Sequence, residues 1–295
     1  MKLNCRGVEL EVEVEGDESH PAILLIAGVG QQLIDWPRPL IDELLQLGLR
    51  VIRFDNRDIG MSQSFKHLGV PNIPIQYLKS RFGFKISTPY TIADLSNDAM
   101  GILESLKISQ AHIVGWSMGG MVAQRFALNH AKACLSMTCI MTASGIPSTR
   151  ADVVHMMRSP PADRSVDAKV DYFFRVYQKL MSPAYPEPEN EMRARIKKSI
   201  ERAQLAGSSE SGSLRQMIAI MADGKRSKEI TRIQVPTLVI HGSADPMVAI
   251  KGGEDLAQKI NTSKFVRYEG MGHDFPNELI PKMAQEIGTL INVGS

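Results

Sequence analysis

Residues 112–131 read HIVGWSMGGMVAQRFALNHA, an apolar run followed by a G-x-S-x-G sequence and a helical pattern. Residues 112–114 are typical of a buried strand, and apolar side chains recur at helical spacing over residues 118–131. Ser117 therefore lies where a strand turns sharply into a helix. Such a turn lifts a serine hydroxyl above a sheet edge, while the flanking glycines relieve crowding. We interpret Ser117 as a nucleophile; a serine in an ordinary tight turn is the alternative.

Short apolar runs separated by helical segments continue on both sides of this stretch. Helical spacing is found over residues 39–47, 92–106 and about 278–291. Such runs are typical of a parallel sheet covered by helices on both faces. The further predicted strands are residues 22–27, 51–54, 135–141, 237–240 and 265–268. Residues 8–15 instead alternate apolar and acidic side chains, which predicts a strand with one solvated face, paired as a hairpin with residues 2–5.

One long segment interrupts the alternation of strands and helices. Residues 144–235 contain apolar residues at helical spacing over 166–181, 192–203 and 214–221, with Pro- and Ser-rich joints at 159–161, 182–188 and 207–212. We predict a helical cap at residues 144–235, inserted between two strands. Residues 1–143 and 236–295 would then form one core, because the candidate catalytic residues come from both.

A serine hydroxyl is a poor nucleophile unless a base removes its proton and an acid orients that base. His273 lies in a loop directly after the last predicted strand, and Asp245 lies in the loop after the strand at residues 237–240. We predict Ser117, Asp245 and His273 as a catalytic triad, in the chain order that this strand-turn-helix motif uses. The alternative is an independent surface aspartate and loop histidine.

Hydrolysis by a serine also requires N–H donors for the developing oxyanion. We predict the backbone N–H of Met118, directly after the nucleophile, and that of Val29, in the turn after residues 22–27. A glycine turn that serves geometry alone is the alternative for the second position. No G-x-G-x-x-G sequence follows any predicted strand, so no nicotinamide or flavin cofactor is expected. No metal is expected either.

These motifs together resemble the α/β-hydrolase superfamily over essentially the whole chain. Residues 115–119, the run PTLVIHGSAD that ends at Asp245, and Gly-Met-Gly before His273 carry the resemblance. It implies an α/β-hydrolase fold, with a mostly parallel eight-stranded sheet, flanking helices and an inserted cap. Residues 55–62 (DNRDIGMS) are similar to the D-x-R-D-x-G-x-S segment of aclacinomycin methylesterase-like and macrolide esterase enzymes. That resemblance implies a serine carboxylesterase for bulky polyketide esters or lactones. Ala27 stands where many superfamily members have histidine.

A cap over the nucleophile would create an apolar cleft for substrate. The positions we predict for that pocket are Gly28, Trp116, Met181, Met217 and Met221, with core packing as the alternative for the methionines. Trp116 is expected to pack beneath the nucleophile. Arg57 and Asp58 are expected to form a structural ion pair or to brace their loop.

Composition excludes several other classes of protein. The chain has 295 residues, 43% hydrophobic and 22% charged, with 34 Lys plus Arg against 32 Asp plus Glu. Disorder and nucleic-acid binding are therefore not expected. The chain begins without the apolar segment of a signal peptide and has no uninterrupted apolar run of about 18 residues. We expect a cytoplasmic protein without a membrane partner; its oligomeric state is left open.

Other functions are compatible with the same residues. A Ser-His-Asp triad also supports hydrolysis of C–C bonds in diketones and cofactor-free perhydrolysis. A hydrolase fold can also serve as a small-molecule receptor without turnover. Retention of all three triad residues favours an enzyme over a receptor.

Overall fold

The molecule is built on one eight-stranded sheet. The computed structural model describes residues 1–157, 162–207, 211–224 and 226–293. The strands are β1 (Lys2–Cys5), β2 (Val8–Glu15), β3 (Ala22–Ile26), β4 (Arg50–Phe54), β5 (Ala111–Trp116), β6 (Cys134–Ile140), β7 (Thr237–Gly242) and β8 (Ser263–Tyr268). Their order is β1-β2-β4-β3-β5-β6-β7-β8. β2 is antiparallel to β1 and β4, and the remaining neighbours are parallel. The predicted mostly parallel sheet of eight strands is confirmed.

The predicted hairpin forms between β1 and β2. Its turn is made by Arg6 and Gly7, both at positive φ (53° and 89°). Two-residue hairpins favour positive φ at both positions because the twist of such a turn matches the twist of the strands. Along β2, Val8 and Leu10 are buried while Glu9 between them is exposed.

Helices cover both faces of the sheet. They are α1 (Arg38–Gln46), α2 (Ile73–Arg81), α3 (Ile92–Ser105), α4 (Met118–Asn129), α5 (Ala151–Met157), α6 (Val166–Leu180), α7 (Glu189–Leu205), α8 (Ser211–Asp223), α9 (Ile250–Lys259) and α10 (Ile280–Val293). In β3, Leu24 and Ile26 pack in one cluster with residues of α3 and α4. Ile23 and Leu25 pack in a second cluster with residues of α1 and α10. Successive side chains of a strand point to opposite faces, so each face has its own core. Over the described residues, no helix is both long enough and apolar enough to cross a bilayer.

The segment between β6 and β7 carries α5, α6, α7 and α8. We keep the name cap for residues 144–235, the insertion proposed from the sequence. Within its described part, every regular element is helical. α6 and α7 pack through Val170 and Phe174 of one helix and Met192 and Ile196 of the other. The predicted joint at residues 159–161 lies outside the described residues, as do residues 208–210 of the joint at 207–212.

Arg57 and Asp58 brace the loop after β4 through two different partners. The Arg57 guanidinium forms a bidentate pair with Asp98 of α3, at 2.6 and 2.7 Å. Asp58 accepts two hydrogen bonds from Arg215 of α8, both at 2.8 Å. The Asp58 and Arg215 side chains are almost fully buried (0% and 1% exposed). One residue of this loop is therefore fixed to the core and the next to the cap.

Candidate active site

Ser117 lies between β5 and α4 in a strained backbone conformation. Its φ is +54° and its ψ is −121°, a region that residues with a side chain rarely adopt. The Ser117 N–H donates to the Ile140 carbonyl (2.9 Å), and the Thr142 hydroxyl donates to the Ser117 carbonyl (2.7 Å). The end of β6 therefore holds both backbone groups of this serine, and the sharp turn predicted from the sequence is present.

The two glycines of the G-x-S-x-G sequence are required by close backbone contacts. A Cβ on Gly115 would lie 2.1 Å from the Gly119 carbonyl oxygen. A Cβ on Gly119 would lie 1.9 Å from the carbonyl oxygen of Ile26 at the end of β3. Both distances are far below van der Waals contact. The two glycines thus allow α4 to begin in direct contact with the sheet, so that the first turn of α4 lies next to Ser117.

The structure brings the three predicted triad residues together at the carboxyl ends of their strands. His273 Nε2 lies 3.1 Å from Ser117 Oγ, and His273 Nδ1 lies 2.7 Å from Asp245 Oδ2. Asp245 follows β7 and His273 follows β8. Both side chains are buried. The geometry suits transfer of a proton from the serine hydroxyl to the imidazole.

The Asp245 carboxylate is held from several directions. Its Oδ1 accepts the backbone N–H groups of Met247 and Val248, both at 2.8 Å. Burial by itself would raise the pKa of Asp245, but the neighbouring His273 and hydrogen bonds from His241, His273 and the Val248 N–H hold it well below its usual range. The carboxylate is thus ionised at neutral pH and can fix the imidazole tautomer with Nδ1 protonated.

The predicted oxyanion donors, the N–H groups of Met118 and Val29, belong to two turns next to Ser117. Met118 is the first residue of α4, so its N–H has no acceptor within the helix. A Cβ on Gly28 would lie 3.3 Å from Ser117 Cβ, which shows how closely the turn after β3 approaches the serine. In that turn, the Gly30 N–H is already engaged by the Gln216 side-chain oxygen (2.9 Å). The N–H of Val29 is therefore the better candidate for a second donor.

The turn after β3 is tied to three helices of the cap. Besides the contact of Gly30 with α8, the Gln31 side chain donates to the Tyr177 hydroxyl of α6 (3.2 Å). The Gln32 side chain accepts from Arg202 of α7 (2.6 Å). Burial raises the pKa of the Tyr177 hydroxyl, so it stays protonated. Motif reasoning did not find these partners, because they are more than 140 residues from the turn and carry no motif.

The end of α6 clasps the loop that carries His273. The His273 N–H donates to the Leu180 carbonyl (2.7 Å), and the Gly272 N–H donates to Ser182 Oγ (2.8 Å). The Ser182 hydroxyl in turn donates to Asp274, whose carboxylate also accepts the Ser182 N–H (3.1 Å). Burial raises the pKa of Asp274. Asp274 stands next to the predicted base, which is the only signal in the sequence for this clasp.

Trp116 packs beside the imidazole of His273. Its ring lies 6.2 Å from those of Trp36 and His273 and 5.3 Å from that of Phe275, measured between centroids. Trp116 is 8% exposed, so it forms part of the buried surroundings of the imidazole. In the described part of the chain, its indole N–H is buried without a hydrogen-bond partner.

The three predicted pocket methionines do not line a common cleft. Met181 borders two surface clefts beside Gln178 and Lys179, one of which reaches Ala244 next to the triad acid. Met217 and Met221 are half-buried on α8 and line neither of these clefts. Their role as substrate contacts stays a prediction. Gly28, another predicted pocket position, lies next to Ser117.

A central parallel sheet with a strained serine after β5, an acid after β7 and a histidine after β8 is the arrangement of the α/β-hydrolase fold. The chain belongs to the alpha/beta hydrolase fold family, whose family model matches residues 21–276. It is a hydrolase-family enzyme with esterase and lactonase relatives. Rhodomycin D methylesterase DauP of Streptomyces sp. (strain C5) is 26% identical over 287 residues, which cover 91% of this chain and 90% of the relative.

Two further comparisons agree with this family. 3-Oxoadipate enol-lactonase 1 of Acinetobacter baylyi is 26% identical over 270 residues, which cover 90% of this chain and 86% of the relative. The crystal structure of the enol-lactonase from Burkholderia xenovorans LB400 superposes with a TM-score of 0.77 at 24% identity, covering 99% of this chain and 100% of that one. The second comparison concerns the fold alone.

Proposed function

We propose that the protein hydrolyses carboxylic esters by way of an acyl-enzyme on Ser117. This proposal rests on one observation, a chain of two hydrogen-bond contacts. One joins Ser117 Oγ and His273 Nε2 (3.1 Å), and the other joins His273 Nδ1 and Asp245 Oδ2 (2.7 Å). Such a chain of hydrogen bonds activates a serine hydroxyl, which is otherwise a weak nucleophile, because the histidine can take its proton.

In the proposed mechanism, Ser117 Oγ attacks the ester carbonyl while His273 Nε2 takes the hydroxyl proton. The N–H groups of Met118 and Val29 stabilise the oxyanion of the tetrahedral intermediate. His273 returns the proton to the alcohol as the C–O bond breaks, which leaves the acyl-enzyme. Water then attacks the acyl group, with His273 as base, and releases the acid and free Ser117. Asp245 orients the imidazole and stabilises its cation throughout.

The substrate we favour is a bulky, hydrophobic ester or lactone, such as a polyketide methyl ester or a macrolide. The relatives support an ester or lactone as the substrate, since one is named as a rhodomycin D methylesterase and another as a 3-oxoadipate enol-lactonase. The near balance of 34 basic and 32 acidic residues suits an uncharged substrate better than a polyanion.

The test is a mass-spectrometric screen of the purified protein against simple acyl esters, anthracycline methyl esters and 16-membered macrolides. Ester cleavage releases an alcohol, whereas lactone opening adds one water without loss of an alcohol. A fluorophosphonate probe should label Ser117 in the same preparation. Turnover of a dienedione alone would indicate C–C bond hydrolysis. Failure of both labelling and turnover would contradict the proposal and favour a small-molecule receptor.

Replacing Ser182 by alanine should lower kcat between about 10- and 100-fold with little change in KM. The substitution removes the hydroxyl that links Gly272 to Asp274, so the loop no longer fixes the angle of the His273 imidazole. Steady-state kinetics on a small soluble ester would measure the split between kcat and KM.

The matched control is Ser165→Ala, which removes the N-terminal hydrogen bond of α6 (Ala168 N–H to Ser165 Oγ, 3.2 Å) far from the histidine. We expect this variant to lose some stability and to keep its kcat. Equal kcat losses in the two variants would mean that Ser182 acts only through the stability of the cap.

A further inference from the structure

Exposed apolar side chains are concentrated in one segment. Of the twelve large hydrophobic residues that are exposed in the described chain, seven lie between residues 68 and 84. Phe82 and Phe84 are 70% and 67% exposed. The others are Leu68, Val70, Ile75, Tyr77 and Leu78. Scattered exposed apolar residues are normal on soluble proteins, but a cluster of this kind marks an interaction surface. We call residues 66–85 the docking segment.

The docking segment is also basic. Residues 59–93 contain no Asp or Glu, whereas they contain Lys66, Lys79, Arg81 and Lys85. The chain as a whole is close to neutral, with 34 basic and 32 acidic residues. Lys66 and Lys85 are exposed and Lys79 is half-buried. Cations and exposed aromatic side chains are therefore interleaved along one stretch of the chain.

The inner side of the docking segment is fixed to the protein. The buried Gln76 side chain accepts the Ser87 N–H (3.1 Å), and the Gly69 carbonyl accepts a hydrogen bond from Arg215 of α8 (3.1 Å). Gln216, the next residue of α8, contacts the Gly30 N–H (2.9 Å). The segment thus presents its outer side chains from a defined support, and it lies one helix away from the turn after β3.

We propose that the docking segment binds the surface of a bilayer that contains anionic phospholipid. Phe82 and Phe84 would enter the boundary between head groups and acyl chains, and the lysines would contact the phosphates. Lysine stems can lie along an apolar surface while their ammonium groups stay at the head groups. Such binding requires no spanning helix, and this proposal is an alternative to the expectation that the protein has no membrane partner.

Charge also argues against a second copy of the chain as the occupant of this surface. Two docking segments in contact would bring the same set of cations together without an acidic partner from residues 59–93. Like charges that face each other in this way are unfavourable. An anionic lipid surface supplies the missing negative charge.

Co-sedimentation with large unilamellar vesicles tests the proposal, using phosphatidylcholine alone and phosphatidylcholine mixed with phosphatidylglycerol. We expect the parent protein to bind the mixed vesicles and to bind the neutral ones more weakly. The double variant Phe82→Ser/Phe84→Ser should bind at least about tenfold more weakly. Lys79→Gln/Lys85→Gln should weaken binding to the mixed vesicles by about 10- to 30-fold.

The control is Leu205→Ser, at a side chain that is 86% exposed and lies outside the docking segment. It should bind vesicles like the parent, and all variants should label normally with the fluorophosphonate probe if Ser117 is reactive. The proposal would be overturned by a parent that does not bind the mixed vesicles, or by an equal loss in Leu205→Ser. A vesicle-free oligomer that Phe82→Ser/Phe84→Ser disperses in light scattering would overturn it in favour of self-association.

Discussion

Ser117→Ala is expected to reduce the kcat of ester hydrolysis by about 10⁴- to 10⁶-fold. The activity that remains would come from the oxyanion donors and substrate binding alone. The variant loses the atom that attacks the carbonyl and that lies 3.1 Å from His273 Nε2. The Ser117 backbone should hold its position, because the Ile140 carbonyl and the Thr142 hydroxyl bind it and not the side chain. The measurement is kcat on an ester that the parent hydrolyses, together with the unfolding transition.

A second buried serine–histidine pair provides the matched control. Ser136 Oγ lies 2.8 Å from His112 Nδ1, between β6 and β5. Burial lowers the pKa of His112, which keeps this imidazole neutral and suits a structural role. Ser136→Ala should therefore lose stability and keep its kcat. Equal activity in Ser117→Ala and the parent would refute the assignment of the nucleophile.

The sheet could be predicted because each central strand is a short apolar run. All five residues of β3 and all six of β5 are buried, and this produces the signal that distinguishes them from the alternating β2. The triad could be predicted for a related reason. The carboxyl ends of parallel strands share one edge of the sheet, so the loops after β5, β7 and β8 lie on the same side of the molecule and their residues can meet.

In the described part of the chain, three helices escaped prediction, namely α2, α5 and α9, and for α2 and α9 the reason can be identified. α2 contains Pro74 and has apolar side chains that face solvent, so its pattern lacks a buried stripe. α9 has two glycines, Gly252 and Gly253, in its first turn, and glycine disfavours a helix. The fold requires Gly253, because a Cβ there would lie 2.4 Å from His241 Nδ1. Packing against β7 overrides the local preference at this point.

The contacts between cap and site could not be predicted either. Ser182 and Gln216 are polar residues in segments that the sequence marks only as a joint and a helix. Their importance comes from distant partners, Asp274 and Gly30, which the tertiary fold brings within hydrogen-bond distance. A sequence motif identifies residues whose role depends on adjacent residues in the chain. The roles of Ser182 and Gln216 depend instead on residues that are adjacent only in the folded structure.

The cap is anchored by a buried ion pair, so Arg215→Met should lower the free energy of unfolding by about 3–5 kcal/mol. The substitution leaves the Asp58 carboxylate buried without its guanidinium partner on α8. Denaturation with urea measures the loss. Arg193→Met is the matched control, because the pair of Arg193 with Asp171 is solvent-exposed (35% and 55%) and should contribute less than about 1 kcal/mol.

Removing the buried charge as well should restore much of the stability. Asp58 has a φ of +73°, a conformation that asparagine also adopts readily. Its Oδ1 accepts the Phe65 N–H at 2.6 Å, which an asparagine carbonyl can also do. Asp58→Asn/Arg215→Met should therefore be more stable than Arg215→Met alone, because a neutral amide is far less costly to bury without a countercharge than a carboxylate. If the double variant is the less stable of the two, apolar packing and not this ion pair fixes α8. In that case the hydrogen bond between Gln216 and the Gly30 N–H does not depend on the ion pair.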